Sequence, residues 1–156
     1  MGAADDREKR RAAMLDKLAT VLEQAGFPHG MAKVYAALTL ADGEGLSTSD
    51  LIEELGISKA SVSNAMQFLV GTNLVERYRV RDSREAHYRI LKGRWGDILA
   101  RKFAATSYVR SVAEEAISAT DSPAACARLE EMRDVYAFFE QEFENVMQRF
   151  KERTGR

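Results

Sequence analysis

Asn64 and Gln67 lie three residues apart, with Ser61 and Ser63 just before them and Lys59 opening the run. On a helix these positions share one side. Their chemistry suits the edges of base pairs: an amide can span the N6 and N7 positions of adenine, and a hydroxyl can donate or accept. Ala60 keeps the profile slim, and Ser58 stands where a helix cap beside a phosphate backbone would stand. Val62, Ala65, Met66 and Leu69 fall on the opposite side as a core stripe. The polar side carries no acid, whereas an ordinary solvated face mixes Glu with Lys.

The charge distribution points the same way. The whole chain of 156 residues has a formal net charge of -1. Between Ile57 and Arg94, however, there are eight basic residues and only three acidic ones, leaving a local charge of +5 and -6 elsewhere. A chain near neutrality that gathers its cations in one segment attracts a polyanion locally. Arg77, Arg79, Arg81 and Lys92 are the expected phosphate contacts. Arg84 is expected at a loop tip, reaching a minor groove, with Asp82 as wing-tip support that holds the guanidinium outward by an ion pair. Taken singly, each arginine is equally a surface charge that keeps an edge strand soluble. The cluster carries the argument.

Other chemistries lack their residues. His29 and His87 are the two histidines and Cys126 the single cysteine, so no metal-ligand spacing can be read. His87 reads as a phosphate contact or plain surface. The paired acids Glu53-Glu54 and Glu114-Glu115 are helix neighbours, which do not face each other. No phosphate-binding glycine loop occurs. The expectation is a protein that is not an enzyme and uses no cofactor or metal. Cys126 reads as a small packed residue in preference to a redox sensor, although a helix N-terminus can favour a thiolate.

These side chains need elements to hold them. Apolar periodicity predicts helices over 5–25 and 30–41, then two short helices, 48–55 and 59–71, separated by Gly56-Ile57-Ser58. Ser47 and Asp50 form a capping-box pair before the first of these. The two short helices with a tight turn are a helix-turn-helix signature. Alternation over 75–80 and 86–91, with polar 81–85 between, predicts a β-hairpin wing. Long helices follow over 94–119 and from Pro123 to about residue 151, with Ser122 as cap. The fold class is mostly α with a small β-hairpin wing, organised as an N-terminal dimerisation helix (1–27), a winged helix-turn-helix (28–93) and a C-terminal helical dimerisation region (94–156). No secretory leader or stretch of ~18 apolar residues is evident, so the chain reads as soluble and cytoplasmic, with no membrane partner.

The last helix repeats apolar residues in heptads: Leu129, Met132, Tyr136, Phe139, Phe143, Val146 and Phe150. Val135, Phe138 and Met147 widen that stripe beyond what one small core should cover. The expectation is a homodimer in which the first and last helices pair across a two-fold axis. Tyr35, Trp95 and Tyr108, with His29, are candidate linings of an effector pocket, although aromatics at helical spacing are more commonly core.

With these residues in view, a family resemblance emerges. Leu46-Ser47-Thr48-Ser49-Asp50-Leu51 and Leu55-Gly56-Ile57-Ser58-Lys59-Ala60-Ser61-Val62-Ser63 resemble the helix-turn-helix of the MarR superfamily. Leu74-Val75-Glu76-Arg77 and Asp82-Ser83-Arg84 resemble its wing. Trp95, Arg128-Leu129-Glu130-Glu131-Met132 and Tyr136-Ala137-Phe138-Phe139 resemble the GbsR-type branch. The resemblance implies a dimeric repressor or activator of transcription, read here as a repressor, on a near-palindromic double-stranded operator and often released by a small molecule. The competing expectation is a winged-helix module that engages an acidic protein partner.

Overall fold

The computed structural model describes residues 3–155, and the side chains from Asp6 onwards. The described elements are helices α1 (Ala3–Gln24) and α2 (His29–Thr39), strand β1 (Leu46–Ser47), helices α3 (Thr48–Leu55) and α4 (Lys59–Gly71), strands β2 (Val75–Tyr78) and β3 (His87–Ile90), and helices α5 (Trp95–Ala119) and α6 (Pro123–Thr154). They divide into two compact units, Met1–Lys92 and Gly93–Arg156. The fold is mostly helical with a small sheet, as expected. No described helix is long and apolar enough to cross a membrane.

The first unit is built around α2. Ala32 and the run Val34 to Leu38 are buried, and α1 covers them with Leu15, Ala19 and Leu22. Leu51 of α3, Val62 and Leu69 of α4, and Val75 of β2 complete the core. Arg11 of α1 donates to Glu54 of α3 at 2.7 Å. Met14 and Val21 of α1 face away from this core, 52% and 58% exposed.

Two strands were expected, and a third joins them. The sheet order is β1-β3-β2, with Leu46 opposite Tyr88 and Ser47 opposite His87 on one side of β3, and Val75 opposite Ile90 through Tyr78 opposite His87 on the other. β2 and β3 are also shorter than alternation suggested, because Val80 already lies in the loop.

The second unit is a pair of helices. Phe103 of α5 stacks on Phe143 of α6, with ring centroids 3.9 Å apart and planes 12° apart. Arg110 of α5 reaches Glu140 of α6 and Glu114 of its own helix, each at 2.8 Å. This pairing splits the expected heptad seam in two. Leu129, Tyr136 and Phe143 are half-buried, whereas Met132, Phe139, Val146 and Phe150 are between 41% and 54% exposed. Half of a seam read as one dimer surface is therefore satisfied within the chain, because successive a and d positions diverge around a straight helix.

Candidate nucleic-acid interface

Helix α4 is capped at its N-terminus and anchored along one face. The Ser58 hydroxyl accepts the backbone N–H of Ser61 at 3.1 Å, which satisfies one of the first-turn donors. Val62, Ala65, Met66 and Leu69 are buried, as their spacing predicts. Lys59, Ala60, Ser61, Ser63, Asn64 and Gln67 are all exposed. The Ser61 hydroxyl is hydrogen-bonded to that of Ser58 at 2.9 Å, so it turns back to the helix end.

Ahead of α4, the turn is helped by Gly56, whose φ of 61° lies in the left-handed region that glycine enters without a Cβ penalty. The capping box on α3 is complete. Ser47 accepts from the Asp50 N–H at 3.0 Å, and the Asp50 carboxylate accepts from the Ser47 N–H at 2.7 Å. The backbone hydrogen bond from Ser47, followed by its side-chain bond, holds the Asp50 carboxyl below the ordinary aspartate range.

A depressed folded-state pKa means the carboxylate stabilises the fold at neutral pH and loses that contribution as pH falls through the folded value. Asp50→Asn and Ser47→Ala are each expected to cost about 1 kcal/mol at pH 7. For Asp50→Asn the gap to the parent protein should close on acidification below the ordinary aspartate range. Denaturant midpoints measured across that range check it; a gap independent of pH would remove Asp50 from the cap.

The wing sorts its cations into two groups. Arg89 lies opposite Glu76 across the β2–β3 ladder and hydrogen-bonds to it. Its guanidinium also sits 4.9 Å from the centroid of the Tyr78 ring and 3.4 Å from Glu44. Arg94 pairs with Asp97 at 2.9 Å. By contrast, Lys59, Arg77, Arg79, Arg81, Arg84 and Lys92 are exposed and make no ion pair among the described residues. The six uncommitted cations are those expected to meet DNA.

Two side chains depart from their expected roles. Asp82 and Arg84 form no ion pair among the described residues; Asp82 instead takes a left-handed turn with φ 69°, which shapes the loop through the backbone. His87 is half-buried with its ring 5.7 Å from that of Tyr78, so it packs across the strands and is not a loose surface group.

The residue that sequence reasoning missed is Glu85. Its carboxylate accepts from the Ser49 hydroxyl at 2.6 Å and from the Ser49 N–H at 3.4 Å, tying the wing to the first turn of α3. The hydroxyl bond first, and the backbone bond second, lower its pKa. Glu85 directly follows Arg84, so this tie fixes the base of the loop that presents the guanidinium. Its position beside Arg84 was visible in the sequence, but a partner 36 residues away was not.

The expected effector lining also needs correction. Tyr35 is fully buried, with its ring 5.4 Å from that of Phe27, so it belongs to the core of the first unit. Trp95 and Tyr108 are 47% and 72% exposed in the second unit. His29 sits at the start of α2 with Nδ1 2.6 Å from the Glu23 carboxylate.

Comparison with known proteins agrees with this geometry. Residues 31–84 match the model of the MarR family, and residues 93–153 match that of the MmpR5-like MarR family transcriptional regulators. The chain belongs to the MarR family of winged-helix transcriptional regulators. It is 25% identical over 120 residues to the HTH-type transcriptional regulator MmpR5 of Mycobacterium tuberculosis, an alignment covering 76% of this chain and 73% of that protein. A crystal structure of a transcriptional regulator superposes with a TM-score of 0.71 at 19% identity, covering 92% of this chain and 99% of the other. That likeness speaks for the fold.

Proposed function

We propose that this MarR-family regulator binds double-stranded DNA sequence-specifically as a homodimer, represses from a near-palindromic operator, and acts in the cytoplasm. The observation that carries the reading is the coincidence of an acid-free, exposed α4 face with six exposed cations that make no ion pair among the described residues. Lys59, Ser61, Ser63, Asn64 and Gln67 would enter the major groove, with Ser58 at the backbone. Arg84 would enter the minor groove beside it, while Arg77, Arg79, Arg81 and Lys92 take phosphates. An acidic protein partner is less well served, since interfaces centre on aromatic anchors and Phe68 stands only at the rim of the face, 36% exposed.

The homodimer rests on apolar surface that neither unit covers. Met14 and Val21 on α1, and Met132, Val135, Phe138, Phe139, Val146 and Phe150 on α6, are all exposed. Pairing these helices across a two-fold would set two copies of α4 about one DNA turn, ~34 Å, apart. Release by a small molecule is part of the reading, with no lining residue assigned to it. At the branch level, Trp95 and the segment 128–139 favour a GbsR-type assignment, while the family model matching that region is described as MmpR5-like.

Selection of bound fragments from random duplexes at ~150 mM salt, with sedimentation of the same sample, tests both parts. The expected result is an inverted repeat with half-sites one turn apart, bound by a dimer. No enriched duplex from a folded dimer would defeat the DNA reading, and a ~17 kDa species at micromolar concentration would defeat the dimer.

A further inference from the structure

The exposed face of α4 also says which base pairs it can read. Ala60, Asn64 and Gln67 lie on the middle of that face, opposite the buried row of Val62, Ala65, Met66 and Leu69. In the major groove, guanine is read by a bidentate Arg or Lys, cytosine by a carboxylate, adenine by an Asn or Gln amide, and thymine by an apolar group against its 5-methyl. The centre of the face carries no arginine and no acid. It carries two amides and one bare methyl. Nor does Ser61 offer a polar substitute at that end, since its hydroxyl is engaged with Ser58. Lys59, the only cation on the helix, stands at its first position and at the edge of the face, so a guanine can be taken only at one end.

We infer that each half-site has an A·T core, in which the amides of Asn64 and Gln67 read adenines and the methyl of Ala60 packs on the 5-methyl of a thymine. This rests on the DNA-binding reading above and specifies its target. Residues 60 and 64 are one turn apart, about 6 Å along the axis, which is less than two base steps of ~3.4 Å. One thymine and one adenine in neighbouring pairs are therefore within reach of the two side chains together.

An A·T preference could equally come from Arg84 in a narrow minor groove. The thymine methyl separates the two, because it projects only into the major groove. The experiment takes the full chain and its selected duplex, replaces the core thymines one at a time by deoxyuridine, and measures affinity at fixed salt. The expected result is one position per half-site where loss of the methyl weakens binding about fourfold, the effect of one buried methyl. In Ala60→Gly the thymine and uracil duplexes should bind alike, with Asn64→Ala relaxing the choice at a neighbouring adenine. A G·C core, or an A·T core indifferent to uracil at every position, would overturn the inference while leaving DNA binding intact. Failure to enrich any duplex would overturn the DNA reading itself.

Discussion

With Arg77, Arg79, Arg81 and Arg84 all changed to glutamine, the affinity for any duplex is expected to collapse at ~150 mM salt while the fold melts as before. Each phosphate neutralised by a cation contributes about 0.9 to the slope of log affinity against log salt. Losing the three phosphate contacts Arg77, Arg79 and Arg81 should lower the slope by about 3 per bound chain, and Arg84 in the minor groove adds at most about one more. The four side chains are exposed and make no ion pair among the described residues, so removing their charge uncovers no buried acid. Sequence preference among the duplexes that still bind should largely persist, because α4 is untouched. Arg89→Gln is the contrasting variant. Its guanidinium is engaged by Glu76, Glu44 and the Tyr78 ring, a set that raises its pKa through Glu76 first. That change should leave the salt slope near its parent value and loosen the β2–β3 ladder instead. Titration by fluorescence anisotropy at four or five salt concentrations decides it. An unchanged slope in the quadruple variant would mean that the wing does not meet the phosphates.

The separation of these two kinds of arginine shows what a sequence can and cannot disclose. The face of α4 was legible because four apolar residues at helical spacing leave few ways to orient a short helix. The uncommitted arginines were legible only as part of a cluster: Arg89 and Arg94 count in the same local charge of +5, and their ion pairs with Glu76 and Asp97 are what set them apart. The Glu85–Ser49 tie was not legible, since nothing local to Glu85 predicts a partner in α3. β1 escaped for a related reason. Two residues have no periodicity to detect, and Leu46–Ser47 is a strand only because β3 passes beside it. The α6 seam marks a third limit. A heptad pattern states that a helix is covered along one stripe, but not by what. Phe103 meeting Phe143 shows that its own neighbour α5 takes half of that stripe.

Gly45→Ala is expected to be the most damaging single methyl in the DNA-binding unit. A Cβ built on Gly45 would stand 2.1 Å from the carbonyl oxygen of Tyr88 and 2.9 Å from its carbon, with the Cβ of Arg89 at 3.0 Å. Backbone atoms in a paired strand cannot rotate aside as a flexible side chain can. The alanine therefore has to push β1 off β3, or bend β3 away from β2. Either movement strikes Leu46 opposite Tyr88 and Ser47 opposite His87. Ser47 is also the cap of α3, so the damage passes directly into the helix-turn-helix. The direct cost is expected at ~1–3 kcal/mol, as for other overpacked sites, and loss of DNA affinity should exceed what global stability alone predicts. Gly43→Ala, two residues earlier, supplies the control. A Cβ there meets nothing within 4 Å, and its effect should stay within ~0.5 kcal/mol. Both substitutions alter the same loop and remove the same backbone freedom, so a difference between their denaturant midpoints reports the contact with β3 alone. Equal midpoints would show that β1 and β3 do not approach so closely, and that the wing is held by the Glu85–Ser49 tie and the β2–β3 ladder without the third strand.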